Sequence, residues 1–261
     1  MFQLLVFSGV AGIGGMGLGG VISAVMLKKP SDKILCWLLS FAAGVMISIV
    51  AFGLVPEAFE LAGIQFSVVG LILGVVVVMA LNRIVDKITM NGKENPGMHS
   101  THEELYHQSR LINNPSRMVR SGILIFIAIA LHNIPEGMAI GAGGAYDFRL
   151  GFILAVMITA HNIPEGMAIS APLLAGGVSK FKVIVLTALC GATTLIGGFF
   201  GFLIGSISDF AVAMALAGAG GAMLYVAFGE MIPLSAIMTK NRAASIVTLF
   251  GIMVGLIVAQ I

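Results

Sequence analysis

One hexapeptide, His-Asn-Ile-Pro-Glu-Gly, is written twice in this chain, at 132–137 and again at 161–166. On an α-helix, at about 100° per residue, Glu136 falls about 40° from His132, and Asn133 about 100° from it. His132, Asn133 and Glu136 therefore share one face, and so do His161, Asn162 and Glu165. Imidazole nitrogen together with carboxylate and amide oxygen is a ligand set for borderline divalent cations such as Zn²⁺, Fe²⁺, Mn²⁺, Co²⁺ or Cd²⁺, and suits Cu⁺ poorly. Neutral histidine and ionised glutamate are the ligating forms, so such a site weakens in acid.

Each copy sits inside a long apolar segment, which makes its polar groups expensive. An acidic residue at the centre of a membrane helix costs about 2.5 to 3.5 kcal/mol on the insertion scale. No lysine or arginine is expected at that depth in either segment, and a divalent cation would supply the missing charge. Pro135 and Pro164 add to the case. Each lacks an N–H and crowds the carbonyl one turn back, Leu131 or Ala160. A carbonyl freed at membrane depth is tolerated only where a side chain, water or cation satisfies it.

The elements that must position these residues are membrane helices. The 261 residues are 58% hydrophobic and only 10% charged, with a mean hydropathy of +1.05; a soluble domain carries roughly 25% charge. About 20 apolar residues span a hydrocarbon core about 30 Å thick. Eight such stretches are expected, at about 4–27, 34–57, 65–86, 119–143, 149–173, 181–205, 209–237 and 243–260, with one long polar loop over 87–118. The first lacks the basic flank of a signal peptide and reads as a retained helix. The expected architecture is all-α: a single polytopic membrane domain over 1–261.

Lysine and arginine cluster after the first, third, fifth and seventh spans, with Arg149 alone on the other side. The positive-inside rule then puts those loops, including 87–118, in the cytoplasm and both termini outside. Charge placed so one-sidedly gives no reason to invoke nucleic acid as a partner. Cys36 and Cys190 lie in or beside apolar spans and read as small apolar residues.

In this orientation the two hexapeptides lie on antiparallel helices, the fourth and the fifth. A second pair of related segments, AAGVMISIVAFGLVPE at 42–57 and AGGAMLYVAFGEMIP at 219–233, also runs antiparallel. Aligned on their prolines, Gly44 meets Gly221 and Met46 meets Met223; shifted by one residue, VAFG meets VAFG. Antiparallel related pairs are the pattern of inverted repeats in secondary transporters, with a site near the midplane on interrupted helices. The glycines of GVAGIGGMGLGG, 9–20, permit close helix packing.

Three other readings compete. In the first, the polar residues only hydrogen-bond one another as structural glue, although glue does not require the same His/Glu pairing twice. A membrane metalloenzyme would be a rival, but the chain has neither His-Glu-x-x-His nor the Glu-x-x-His spacing of carboxylate-bridged di-iron sites. A metal sensor that binds the ion at these same ligands and moves nothing is separated from a transporter by flux.

On these residues the chain resembles the ZIP (Zrt/Irt-like) metal transporter family, prokaryotic branch. The resemblance implies movement of divalent metal, typically zinc, with iron, manganese, cobalt or cadmium, toward the cytoplasm, and a transported ion rather than a prosthetic group. It implies that His132, Asn133 and Glu136 on the fourth helix, and His161, Asn162 and Glu165 on the fifth, are ligands, and that Met46 borders the metal. It also implies a homodimer, and a block of helices 1, 4, 5 and 6 moving against helices 2, 3, 7 and 8. One departure stands out: where many members carry Glu-Pro on the sixth helix, this chain has Thr194 and Leu195, so a single-metal site, or a weakened second one completed by Asn133 and Asn162, is expected.

Glu57 is expected at the outer interface, and Glu230, deeper, either aids ion passage or is structural. His99, His102 and His107, among Glu94, Glu103 and Glu104, form either a solvated connector or a weak cytoplasmic metal trap.

Overall fold

The protein is described here by a computed structural model, over residues 1–26, 32–89, 115–239 and 242–259. The loop histidines His99, His102 and His107 fall outside the described residues. Among the described residues the regular structure is entirely helical, with no strand.

Helix α1 runs Phe2–Met26 and opens into a wide π turn at Val10–Gly14. A second helical run begins at Asp32, passes a π turn at Val50–Leu54, and continues as Val55–Thr89. It breaks at Gly63, whose φ of 78° and ψ of 162° lie outside helical space. Only glycine adopts that conformation readily, and a Cβ there would meet nothing within 4 Å, so backbone rather than space demands it. Ser67 Oγ lies 2.8 Å from Ala58 O and 2.9 Å from Gly63 O, a hydroxyl donor that bridges the break. The part before the break, 32–62, is α2, and the part after it, 64–89, is α3.

Helix α4 is Pro115–Tyr146, α5 Phe148–Ala175 and α6 Lys180–Gly205. Helix α7 is built from Asp209–Val226, a π turn at Ala227–Met231, and Ile232–Thr239; α8 is Ala243–Ala259. Among the described residues six helices are long and apolar enough to cross a membrane, with Cys36–Leu81 counted as one 46-residue run; Ala243–Ile257 is apolar but shorter. Large apolar side chains such as Leu249, Met253, Phe181 and Val25 face outward, the inverse of a soluble surface.

The π turns of α2 and α7 share a register. Each begins six residues before a proline, Val50 before Pro56 and Ala227 before Pro233. A proline ring crowds the carbonyl one turn back, here Phe52 or Gly229, and widening the turn relieves that contact. Of the two sequence registers, the wide turns coincide in the one that pairs the prolines.

Backbones approach closely where glycine removes the Cβ. Gly12 abuts Gly191 between α1 and α6, Gly166 abuts Met16 between α5 and α1, and Gly137 abuts Thr194 between α4 and α6. A separate set joins α2 to α8 through Gly44 and Thr248, and α3 to α7 through Gly221 and Leu71. Between the two sets lies an apolar core of larger side chains, among them Met46, Ile49, Ile140, Leu154, Met157, Ile158 and Met223.

Candidate metal site between α4 and α5

Helices α4 and α5 are joined by one residue, Asp147, whose extended backbone (φ −137°, ψ 123°) and N-capping contact to Arg149 N at 3.1 Å start α5 at once. So short a link folds the two helices back on each other. In that hairpin the first position of one hexapeptide meets the fifth of the other.

That crossing is observed twice. His161 Nε2 lies 2.9 Å from Glu136 Oε1, and His132 Nε2 lies 3.4 Å from Glu165 Oε2. His132 is 2% exposed, and Asn133, Glu136, His161, Asn162 and Glu165 are 0% exposed. Both helices continue through their central prolines, Pro135 and Pro164.

His161 Nδ1 lies 3.3 Å from Met157 O, and donates there in the tautomer that bond requires. Its Nε2 then faces a carboxylate oxygen, and two acceptors at 2.9 Å need a proton between them or a cation beside them.

The asparagines are held from outside the hairpin. Asn133 Nδ2 donates to Cys190 O of α6 at 3.3 Å, and Asn162 Nδ2 to Ala11 O of α1 at 2.9 Å. Only the amide nitrogen can donate to a carbonyl, so each Oδ1 is the atom left over. Among the described residues, Asn133 Oδ1, Asn162 Oδ1, Glu136 Oε2, Glu165 Oε1 and His132 Nδ1 are buried without a hydrogen-bond partner. Buried polar atoms are almost always paired, and five unpaired acceptor-capable atoms on two adjacent helix turns form a donor set suited to a hard or borderline cation.

His132, Glu136 and Glu165 each offer a ligand atom within 4.8 Å of the others, close enough for one ion. His161 touches Glu136 but is not one of those three. Met46 is fully buried in the apolar core with Met157 and Met223. Thr194 of α6 is buried with Oγ1 unpartnered.

A profile described as ZIP Zinc transporter matches residues 2–260. This chain belongs to the ZIP zinc transporter family. Among its relatives, the Zinc transporter ZupT of Akkermansia muciniphila is 31% identical over 271 residues, covering 100% of this chain and 95% of that protein. The Zinc transporter ZupT of Corynebacterium efficiens is 32% identical over 260 residues, covering 96% and 92%, and that of Salmonella heidelberg is 30% identical over 242 residues, covering 91% and 87%. ZIP membership sets the chain among transporters rather than enzymes. With its apolar helices, it is an integral, multi-pass membrane protein.

Sequence reasoning had no route to Ala11 O or Cys190 O as partners of the asparagines. A backbone carbonyl carries no residue-type signal, and the glycine density of 9–20 pointed only to close packing.

Proposed function

We propose that this protein carries a divalent transition-metal ion, zinc foremost, across the membrane toward the cytoplasm by alternating access. The ion sits near the midplane between α4 and α5, on His132, Asn133, Glu136, His161, Asn162 and Glu165, with Met46 at its border. The observation that carries this reading is the crossed pair of fully buried His/Glu contacts, 2.9 and 3.4 Å long, each leaving a carboxylate oxygen without a partner. Zinc comes from the names of the relatives; iron, manganese, cobalt and cadmium suit the same nitrogen and oxygen donors. With Thr194 rather than a carboxylate on α6, the site takes a single ion.

Eight crossings fit the helix lengths. The 46-residue run Cys36–Leu81 measures about 69 Å at 1.5 Å per residue, more than twice a hydrocarbon core about 30 Å thick. A turn at Gly63 makes it two spans, and an even number of crossings puts both termini on the same side, the outside by the distribution of basic residues. The related pairs α2/α7 and α4/α5 are then inverted repeats. In this reading the whole chain is one domain.

Alternating access needs two bodies that slide. The glycine contacts knit α1, α4, α5 and α6 together, and knit α2 to α8 and α3 to α7, while larger side chains separate the sets. The site rides on the first body, and the second supplies the homodimer contact.

Uptake of radioactive zinc into proteoliposomes, with cadmium, manganese and iron as competitors, tests the proposal against the Glu136→Ala and Glu165→Ala variants. Wild-type uptake lost in both folded variants supports it; binding without uptake makes the protein a sensor instead.

A further inference from the structure

Helix α1 reaches the candidate site through its backbone. In a regular α-helix the Gly15 N–H would bond Ala11 O, but in the π turn it bonds Val10 O and Gly12 O. Ala11 O has lost its usual donor and accepts Asn162 Nδ2 at 2.9 Å instead, deep in the protein. Gly15 makes room for this contact: a Cβ there would lie 2.9 Å from Asn162 Cβ and 3.1 Å from Thr159 O.

The consequence is chemical as well as structural. The two ends of a primary amide have nearly the same shape and opposite polarity. An unconstrained Asn162 could turn either its oxygen or its NH₂ toward a cation, and the NH₂ end repels one. A carbonyl that accepts from Nδ2 removes that freedom and leaves Oδ1, unpartnered and fully buried, as the end available to the ion.

We propose that the wide turn at Val10–Gly14 is a positioning element of the ion site, in which the Ala11 carbonyl holds Asn162 with its oxygen free for the metal. This rests on the reading of Asn162 as a ligand. Helix α1 acts through Asn162 and does not touch the ion.

The test is a double-mutant cycle on the full chain in detergent, titrated with Co²⁺ by its ligand-field absorption and with Zn²⁺ by competition. Gly15→Ala forces α1 away from Asn162. It is expected to weaken binding about 10-fold, the lower end of the range for outer-shell partners of metal ligands. Gly17→Ala is the control: its Cβ would lie at an ordinary 3.5 Å from Ala188, and affinity stays within about twofold. Asn162→Ala is expected to weaken binding about 10-fold by itself. In that background Gly15→Ala then costs less than about twofold, because the amide through which it acts is gone. The clash with residue 162 persists there, since alanine keeps its Cβ, so general packing damage would still register.

Equal losses from Gly15→Ala in both backgrounds, or no loss in either, overturn the proposal. Wild-type protein that binds no Co²⁺ overturns the proposed function along with it. Binding that responds to Glu165→Gln but not to Asn162→Ala overturns this inference alone. If Gly15→Ala does not fold, NMR of the wild type decides: the proposal expects slowly exchanging Asn162 side-chain amide protons with and without metal, and rapid exchange overturns it.

Discussion

Replacing Glu165 by glutamine separates a metal site from structural glue, because the two readings give opposite signs for the metal-free protein. Glu165, Glu136 and His132 offer ligand atoms within 4.8 Å of one another, and both glutamates are fully buried. A dication ligated at about 2.1 Å from a carboxylate oxygen is attracted by about 16 kcal/mol at an effective dielectric of about 20, most of which desolvation cancels. The oxygen that glutamine retains offsets part of the remainder, leaving a net loss of about 3 kcal/mol, or on the order of a hundredfold in Kd. Without metal, two carboxylate oxygens 4.8 Å apart repel by about 3.5 kcal/mol when both are ionised, and the proton that the His161–Glu136 contact needs cancels part of this. The hydrogen bond given up, His132 to Glu165 at 3.4 Å, is long and weak. The metal-free Glu165→Gln variant should therefore melt no lower than the metal-free wild type. At a metal concentration 100 times the wild-type Kd, ligand stabilisation should fall from about 2.7 kcal/mol to about 0.4 kcal/mol. Thermal unfolding in detergent, with and without Zn²⁺, reads both quantities. A metal-free variant that melts well below wild type while keeping its zinc shift would refute the reasoning, since a glue carboxylate stabilises the fold and binds nothing.

Four further outcomes follow from the same geometry. Zinc binding measured by calorimetry should fall as pH drops from about 7 to about 5, because protons compete for the imidazole and carboxylate donors that ligate only when unprotonated. Gly63→Ala should lower thermal stability by about 1 to 2 kcal/mol through its left-handed backbone alone, since no atom lies within 4 Å of the added methyl; an unchanged melting curve would show that the α2–α3 break relaxes freely. Gly166→Ala drives a methyl into the Met16 backbone and should cost folded yield, read by size-exclusion chromatography. Asn133→Ala should weaken Co²⁺ binding about 10-fold and change the Co²⁺ absorption envelope as an oxygen donor is lost; an identical spectrum would exclude that amide from the ligand set.

Residue type and spacing alone carried the chemistry. The repeated hexapeptide, two prolines inside apolar runs and the scarcity of charge defined a helical membrane protein with a polar centre on two helices, because burying such groups in hydrocarbon is too costly to occur by accident. Helical periodicity put histidine, asparagine and glutamate on one face of each helix. What no sequence periodicity contains is the relation between helices. In the α4–α5 hairpin His132 meets Glu165 and His161 meets Glu136, rather than each histidine meeting the glutamate of its own motif. The register of 42–57 against 219–233 was ambiguous because both alignments match similar residues; the wide turns before Pro56 and Pro233 favour one, since proline strain acts at a fixed distance along the backbone. The partners of Asn133 and Asn162 are carbonyls of α6 and α1. Every residue carries such a carbonyl, so only the packing of glycine-lined helices decides which of them faces the site.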